Sequence, residues 1–252
     1  MRRLLKTMND GKCVYGPFMK TGDPAFVEIV GHSGFDFVIL DLEHGPTNEL
    51  ILQNLIRGAQ FANLCPIVRV SKLDEVLIGK ALDVGAEGVQ IPQITSSKDA
   101  VLAVKASKFA PLGERGVCRF VRAANYSAMD RFEYFSKSND NFVILQLEGK
   151  EAIDNLDEIL AVRGVDVIFV GPYDLSQSIG MTGNVNHPLV EEKMRYIIKK
   201  ASEKGILTGT FVDTVEAAKK WRDVGVSYIS YSVDVGIFYE ACKNLLSNIT
   251  ED

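Results

Sequence analysis

Glu148 and Asp174 are the acids around which chemistry can be built in this sequence. Glu148 follows the apolar run Phe142–Leu147, and Asp174 closes the segment Gly171-Pro172-Tyr173-Asp174 after a second apolar run, Asp166–Val170. Between the runs a helix is expected, because Ala152, Ile153, Leu156, Ile159 and Leu160 recur on one face and Gly164 stops it. Strand, helix, strand makes two parallel strands whose C-terminal ends point the same way. Neighbouring strands lie about 4.8 Å apart, which lets both carboxylates reach one point. A hard divalent cation takes oxygen ligands at about 2.0–2.1 Å and often needs only one or two protein carboxylates. A lone acid at a strand end usually just faces water. Two on neighbouring strands, with Gly-Pro beside them, favour a metal site.

Other polar residues stand where apolar runs end. Phe37–Asp41 leads into Glu43 and His44, Pro66–Val70 carries Arg69, Gly88–Pro92 carries Gln90, and Gln146 lies two before Glu148, on the same strand face. Asp41, three residues before His44, is expected to hold the imidazole, raising its pKa and fixing its tautomer. Arg69 is a fixed cation able to stabilise an enolate oxygen, or simply to neutralise Glu43. The set suits proton transfer beside a carbonyl: a divalent metal polarises a 2-oxo acid, and His44 acts as acid and base. Backbone N–H groups of Tyr173 and Asp174 are candidates to hold the substrate carboxylate, since Pro172 has none. His32 and His187 read as structural residues at helix ends, and Arg115 and Arg122 as surface charges.

These residues need a frame. Strands are expected at Val14–Met19, Phe37–Asp41, Pro66–Val70, Gly88–Pro92, Phe142–Leu147, Asp166–Val170, Ile206–Thr210 and Tyr228–Tyr231. Helices alternate with them, opened by Asp23-Pro24, Asn48, Ser96, His187-Pro188 and Thr214, and the last covers about 235–246. The segment 111–141 holds one short helix near Arg131 and no strand; excursions of this length are usually functional loops. Eight such units in 252 residues predict one α/β domain over 1–252, a closed (β/α)8 barrel. An open doubly wound sheet would more often carry a Gly-rich loop after its first strand, and none is present. In a barrel the active site lies at the C-terminal strand ends, where Asp41, His44, Arg69, Gln90, Gln146, Glu148 and Asp174 fall.

A net charge of −5, with no basic run, argues against a nucleic-acid partner. The N-terminal stretch lacks the apolar core of a signal peptide, and no stretch is apolar enough to span a membrane. Cys13, Cys65, Cys118 and Cys242 are scattered, as expected of reduced, mostly buried thiols in a cytoplasmic protein.

The segments FVILDLEHGP (37–46), EGVQIPQ (87–93), FVILQLEG (142–149) and VGPYDLS (170–176) resemble the HpcH/HpaI aldolases over nearly the whole chain. The resemblance implies a TIM barrel of the phosphoenolpyruvate/pyruvate type. It also implies a class II, metal-dependent aldehyde-lyase that cleaves or forms a 4-hydroxy-2-oxo acid through an enolate of pyruvate held by the metal, releasing an aldehyde. By the same likeness Glu148 and Asp174 match the metal ligands, for Mg2+, Mn2+ or Co2+. Arg69 matches the pyruvate-binding arginine, His44 with Asp41 the acid/base dyad, and Gln146 a glutamine near the substrate. Gly171, Pro172, Tyr173 and Asp174 match the loop that binds the pyruvate carboxylate. A homo-oligomer is implied, often a hexamer in which the last helix swaps onto a neighbour. Two other chemistries compete: a Schiff-base aldolase using Lys20, Lys72 or Lys150, and a lyase acting on an acyl-CoA thioester.

Overall fold

A computed structural model of the protein describes residues 2–250. The chain opens with α1 (Arg2–Asn9) and then alternates strands with helices. The first half carries β1 (Val14–Met19), α2 (Pro24–His32), β2 (Phe37–Asp41), α3 (Glu49–Phe61), β3 (Cys65–Arg69), α4 (Glu75–Asp83), β4 (Gly88–Ile91) and α5 (Ser97–Ser107). An excursion follows, with a 3-10 turn at Arg122–Ser127 and α6 (Arg131–Ser138). Then come β5 (Phe142–Leu147), α7 (Lys150–Asp154), α8 (Leu156–Ile159), β6 (Val167–Val170), α9 (Pro172–Ser178) and α10 (Pro188–Glu203). The chain finishes with β7 (Leu207–Val212), α11 (Val215–Val224), β8 (Tyr228–Val233) and α12 (Asp234–Thr250). The strands are parallel, pair in chain order and close, β8 on β1, into the expected (β/α)8 barrel.

Local chemistry explains where the helices begin. The side chains of Asp23, Asn48, Asp74, Ser96 and Thr214 each accept from a first-turn N–H. Each such cap contributes about 1 kcal/mol. Period-two alternation then sorts the strands into two layers. Phe37, Ile39, Ile67, Phe142, Ile144, Val167, Phe169 and Tyr228 fill the barrel, while Val38, Leu40, Val68, Val143, Leu145 and Ile168 pack beneath the helices. Leu4 and Met8 join the inner cluster, so α1, an element the sequence reading did not anticipate, stoppers the barrel interior.

Four local expectations are corrected. The single helix expected between Glu148 and Gly164 is two, α7 and α8, because Asn155 leaves helical geometry at φ −99, ψ 12 and its amide donates to the Thr95 carbonyl at 2.9 Å. The last helix runs over 234–250 rather than 235–246, its entry fixed by the buried Asp234. That carboxylate accepts from the N–H groups of Lys20, Thr21 and Val235. Of the cysteines, all free, Cys118 and Cys242 are exposed, since they lie on the excursion and on α12. Arg115 is no surface charge: it is buried, paired with Asp83 and laid over the Phe109 ring. Among the described residues no helix is long and apolar enough to cross a membrane.

Candidate active site

Register decides which side chains meet at the C-terminal strand ends. Asp41 on β2 sits beside Arg69 on β3, and Arg69 beside Gln90 on β4. All three follow the parity of the inward-facing Ile39 and Ile67. The same parity on β5 brings in Gln146 and Glu148. A cavity of about 410 Å³ opens here, lined by Lys20, Asp41, His44, Arg69, Gln146 and Gly171 through Asp174, with Phe18, Phe169, Phe211 and Val233 as its apolar wall.

Arg69 is the fixed point of the site. Its Nε and Nη2 donate to the two Asp41 oxygens, both at 2.8 Å, and its Nη1 lies 2.9 Å from Glu43 Oε2. The guanidinium also rests over the Phe18 ring, 4.6 Å from the centroid. Burial opposes ionisation of Asp41, but Arg69 and the N–H groups of His44 and Glu43 outweigh it, leaving the carboxyl below its usual range. Burial raises Glu43 despite Arg69.

The expected Asp41–imidazole pair does not form. Asp41 Oδ1 accepts from the backbone N–H of His44 at 3.3 Å, not from its ring. The imidazole side chain is 59% exposed and has Glu43 Oε2 at 4.0 Å. Asp41 points inward to Arg69 across one strand spacing, whereas His44 lies in the turn beyond the strand.

Glu148 is buried and held at both oxygens. Oε1 accepts from the Gln93 N–H at 2.9 Å, Oε2 from Gln146 Nε2, and Gln146 Oε1 in turn accepts from Gln90 Nε2 at 2.6 Å. Gln146 therefore lines the cavity with its amide already engaged at both ends. Burial, with a further push from the Asp174 charge, moves the Glu148 carboxyl up to about 7 against the hydrogen bond from Gln146. Gly171 makes the packing possible: a Cβ there would sit 2.8 Å from Glu148 Oε2.

Asp174 arrives on a helix, not on a loop. Pro172 takes the first position of α9, and Gly171 caps it. Gly-Pro followed by helix formers was the available signal. The first-turn N–H groups of Tyr173 and Asp174 have no intrahelical acceptor, so they remain free to bind an anion. Tyr173 donates to Asp213 at 2.6 Å, and that hydrogen bond above all pushes the phenol up to about 12. Sequence reasoning missed Asp213 and left Lys20 only as an imine candidate. Both were findable two residues past the inward Phe211 and Phe18.

The lysines divide clearly. Lys72 and Lys150 are 71% and 70% exposed and paired with Asp74 and Asp154. Lys20 lines the cavity, but its Nζ faces the Asp41 carboxylate at 4.0 Å. A lysine beside a carboxylate is not the desolvated, unpaired amine that imine chemistry needs. No group of three or more His, Cys, Asp or Glu among the described residues is placed to hold a metal. Glu148 and Asp174 instead form an all-oxygen pair of like charges in a partly dry setting. That is the electrostatic deficit a hard divalent cation relieves, with waters or substrate completing its shell.

A family profile described as HpcH/HpaI aldolase/citrate lyase matches residues 15–241, from β1 into α12, and spans every site residue above. The chain belongs to the HpcH/HpaI family. It is 33% identical over 231 residues to the 5-keto-4-deoxy-D-glucarate aldolase of Escherichia coli (strain K12), covering 91% of this chain and 90% of that one. Among solved structures it is similar to an HpcH/HpaI aldolase/citrate lyase family protein from Burkholderia cenocepacia J2315, with TM-score 0.94, 31% identity and 100% of both chains covered. It is also similar to the HpcH/HpaI aldolase from Desulfitobacterium hafniense DCB-2, with TM-score 0.91, 30% identity, and 98% of this chain and 96% of that one covered. As an HpcH/HpaI member the chain is a carbon–carbon lyase of the aldolase type, and metal dependence is general in class II aldolases.

Proposed function

We propose that this enzyme cleaves and forms 4-hydroxy-2-oxo acids, exchanging them with pyruvate and an aldehyde, at the cavity between Arg69 and the Glu148–Asp174 pair. The opposition of a locked guanidinium to two carboxylates at one barrel mouth carries this reading. Glu148 and Asp174 would hold a divalent cation (Mg2+, Mn2+ or Co2+), which when bound supplies Lewis acidity toward a 2-oxo group. The N–H groups of Tyr173 and Asp174 bind the substrate carboxylate at the start of α9. Asp41 and Glu43 hold Arg69 rigid, and its two unspent N–H donors face the oxygen on which negative charge develops. In cleavage His44 removes the proton from the 4-hydroxyl, the C3–C4 bond breaks, and its electrons pass into the C2–C3 enolate. A proton returned to C3 completes pyruvate, and the carbonyl formed at C4 leaves as the aldehyde.

The similarity to a 5-keto-4-deoxy-D-glucarate aldolase makes that compound the first substrate to offer. An acyl-CoA thioester ranks behind it: the basic side chains lining the cavity are Lys20, His44 and Arg69, and two of them already face Asp41. The test is exchange of the pyruvate methyl protons for deuterium, followed by NMR with and without divalent metal. Metal-dependent exchange lost in Glu148→Ala supports the reading. Exchange without metal, with a lysine labelled on borohydride trapping, overturns it.

The assembly reading is a homo-oligomer, a hexamer, in which α12 packs on a neighbouring subunit. It rests on Val235, Phe238, Leu245 and Leu246, which are 49%, 59%, 63% and 64% exposed in the isolated chain. Four free thiols suit the reducing cytoplasm.

A further inference from the structure

A second cavity, of about 400 Å³, lies beside the N-terminal ends of β4 and β5, away from the strand ends that carry the catalytic groups. Arg57 on α3 and Arg122 on the excursion both line it. Arg57 donates to Asn54 Oδ1 at 2.7 Å and to the Tyr126 hydroxyl at 3.3 Å. Arg122 donates to the Val84 carbonyl at 3.0 Å and to Gln60 Oε1 at 2.7 Å. All four acceptors are neutral, and among the described residues neither guanidinium has a carboxylate partner. Burial first, and then the like charge of Arg57, push the Arg122 pKa below its usual value. Lys137, also on the wall, is already neutralised by Glu133, and Glu87 supplies one opposing charge, so the lining is net positive in a chain whose formal charge is −5.

The cavity is built rather than incidental. Gly85 stands at φ +102, a backbone conformation that favours glycine, and the space a Cβ would take there is occupied by Arg122 Nη1. Asn125, Tyr126 and Ser127 stand in succession at φ 50, 55 and 81, a left-handed run that non-glycine residues adopt only when the surroundings impose it. That run sets Tyr126 against Arg57. The Tyr134 hydroxyl, on a residue only 2% exposed, also borders the cavity and has no hydrogen-bond partner. Ser138 is near enough to influence the phenol but not in hydrogen-bonding geometry. Two guanidiniums with unspent donors, and a buried hydroxyl without an acceptor, make a set that is short of an anion.

We propose that this cavity binds a small phosphate-type oxyanion, free or as a phosphomonoester, between Arg57 and Arg122. The forks of both guanidiniums match tetrahedral oxyanion geometry. The site is separate from the aldol cavity and takes no part in carbon–carbon bond chemistry.

Isothermal titration of the full-length protein, in its native assembly, with inorganic phosphate tests this. Saturable binding is expected, weakened about tenfold or more in Arg57→Gln and in Arg122→Gln, the scale of one lost charge-assisted hydrogen bond. Pyruvate proton exchange should stay as in wild type and the thermal midpoint should fall by only a few degrees, the cost of the lost Arg122 hydrogen bonds, which separates a lost site from a lost fold. Glucose 6-phosphate in place of phosphate distinguishes an esterified from a free anion. No saturable binding to wild type, or equal binding in the Arg57→Gln/Arg122→Gln double variant, overturns the proposal. Burial of the cavity against a second copy would give the first of these outcomes.

Discussion

Asp41 and Arg69 meet in a two-pronged ion pair, 2.8 Å on each prong, and this pair deprives His44 of the carboxylate that lies three residues before it. The acid that serves the arginine is 28 residues away in sequence and one strand away in space. The proposed mechanism therefore starts from a locked guanidinium and an exposed imidazole, not from a preformed Asp–His couple.

Removing the Asp41 charge should cost stability as well as activity. Asp41→Asn leaves Arg69 with Glu43 alone, and a destabilisation of about 1–3 kcal/mol is expected. The folded-state pKa of Asp41 is lowered, so its contribution is fully present above the unfolded value near about 4 and is lost as pH falls through the folded value. Urea midpoints of wild type and variant should differ at neutral pH and converge in acid. A gap that persists undiminished in acid would show that the ionised pair is not the source.

His44 carries an opposite expectation. Its side chain is 59% exposed, so His44→Gln should change stability by no more than about 0.5 kcal/mol. As the acid/base its loss should lower turnover about a hundredfold or more. A thermal melt beside the pyruvate exchange rate reads both. Turnover within a few-fold of wild type would transfer the proton to another group.

Gln90 acts at a distance. Its amide holds Gln146, which holds Glu148, so Gln90→Leu leaves Gln146 Oε1 without its donor. Outer hydrogen-bond partners of metal ligands typically account for about 10–100-fold in affinity. Mn2+ titration followed by calorimetry should show weaker binding in Gln90→Leu, restored in part by Gln90→Asn only if a shortened amide still reaches. Unchanged Mn2+ affinity in Gln90→Leu would reduce the amide chain to packing.

The last helix predicts the assembly. Leu245→Glu with Leu246→Glu places two charges on a face that, if covered by a neighbour, cannot bury them unpaired. Light scattering at micromolar concentration should show wild type as a hexamer and the variant as a smaller species. A monomeric wild type would remove the role given to α12.

Much of this molecule was legible in one dimension. All eight strands fall where apolar runs end in turn residues, and Asp23, Asn48, Ser96 and Thr214 cap the helices they precede. Such signals are local, a matter of period and of one side chain reaching a nearby N–H, so neighbours in sequence carry them. Parity along the strands likewise brought Arg69, Gln90, Gln146 and Glu148 to one end of the barrel. What the chain order could not reveal were choices among partners. Asp41 had an imidazole nearby in sequence and a guanidinium nearby in space, and only the β2–β3 register decided between them. Gln146 lines the cavity as its position implied, but its amide is engaged by Gln90 and Glu148, because strand neighbours compete for each buried amide. Asn155 broke a helix whose apolar spacing was continuous, through a bond to a carbonyl 60 residues earlier. Local periodicity determines which segments form and which way they face. Pairing of buried polar groups is a contest between distant residues, and tertiary structure alone decides who is present.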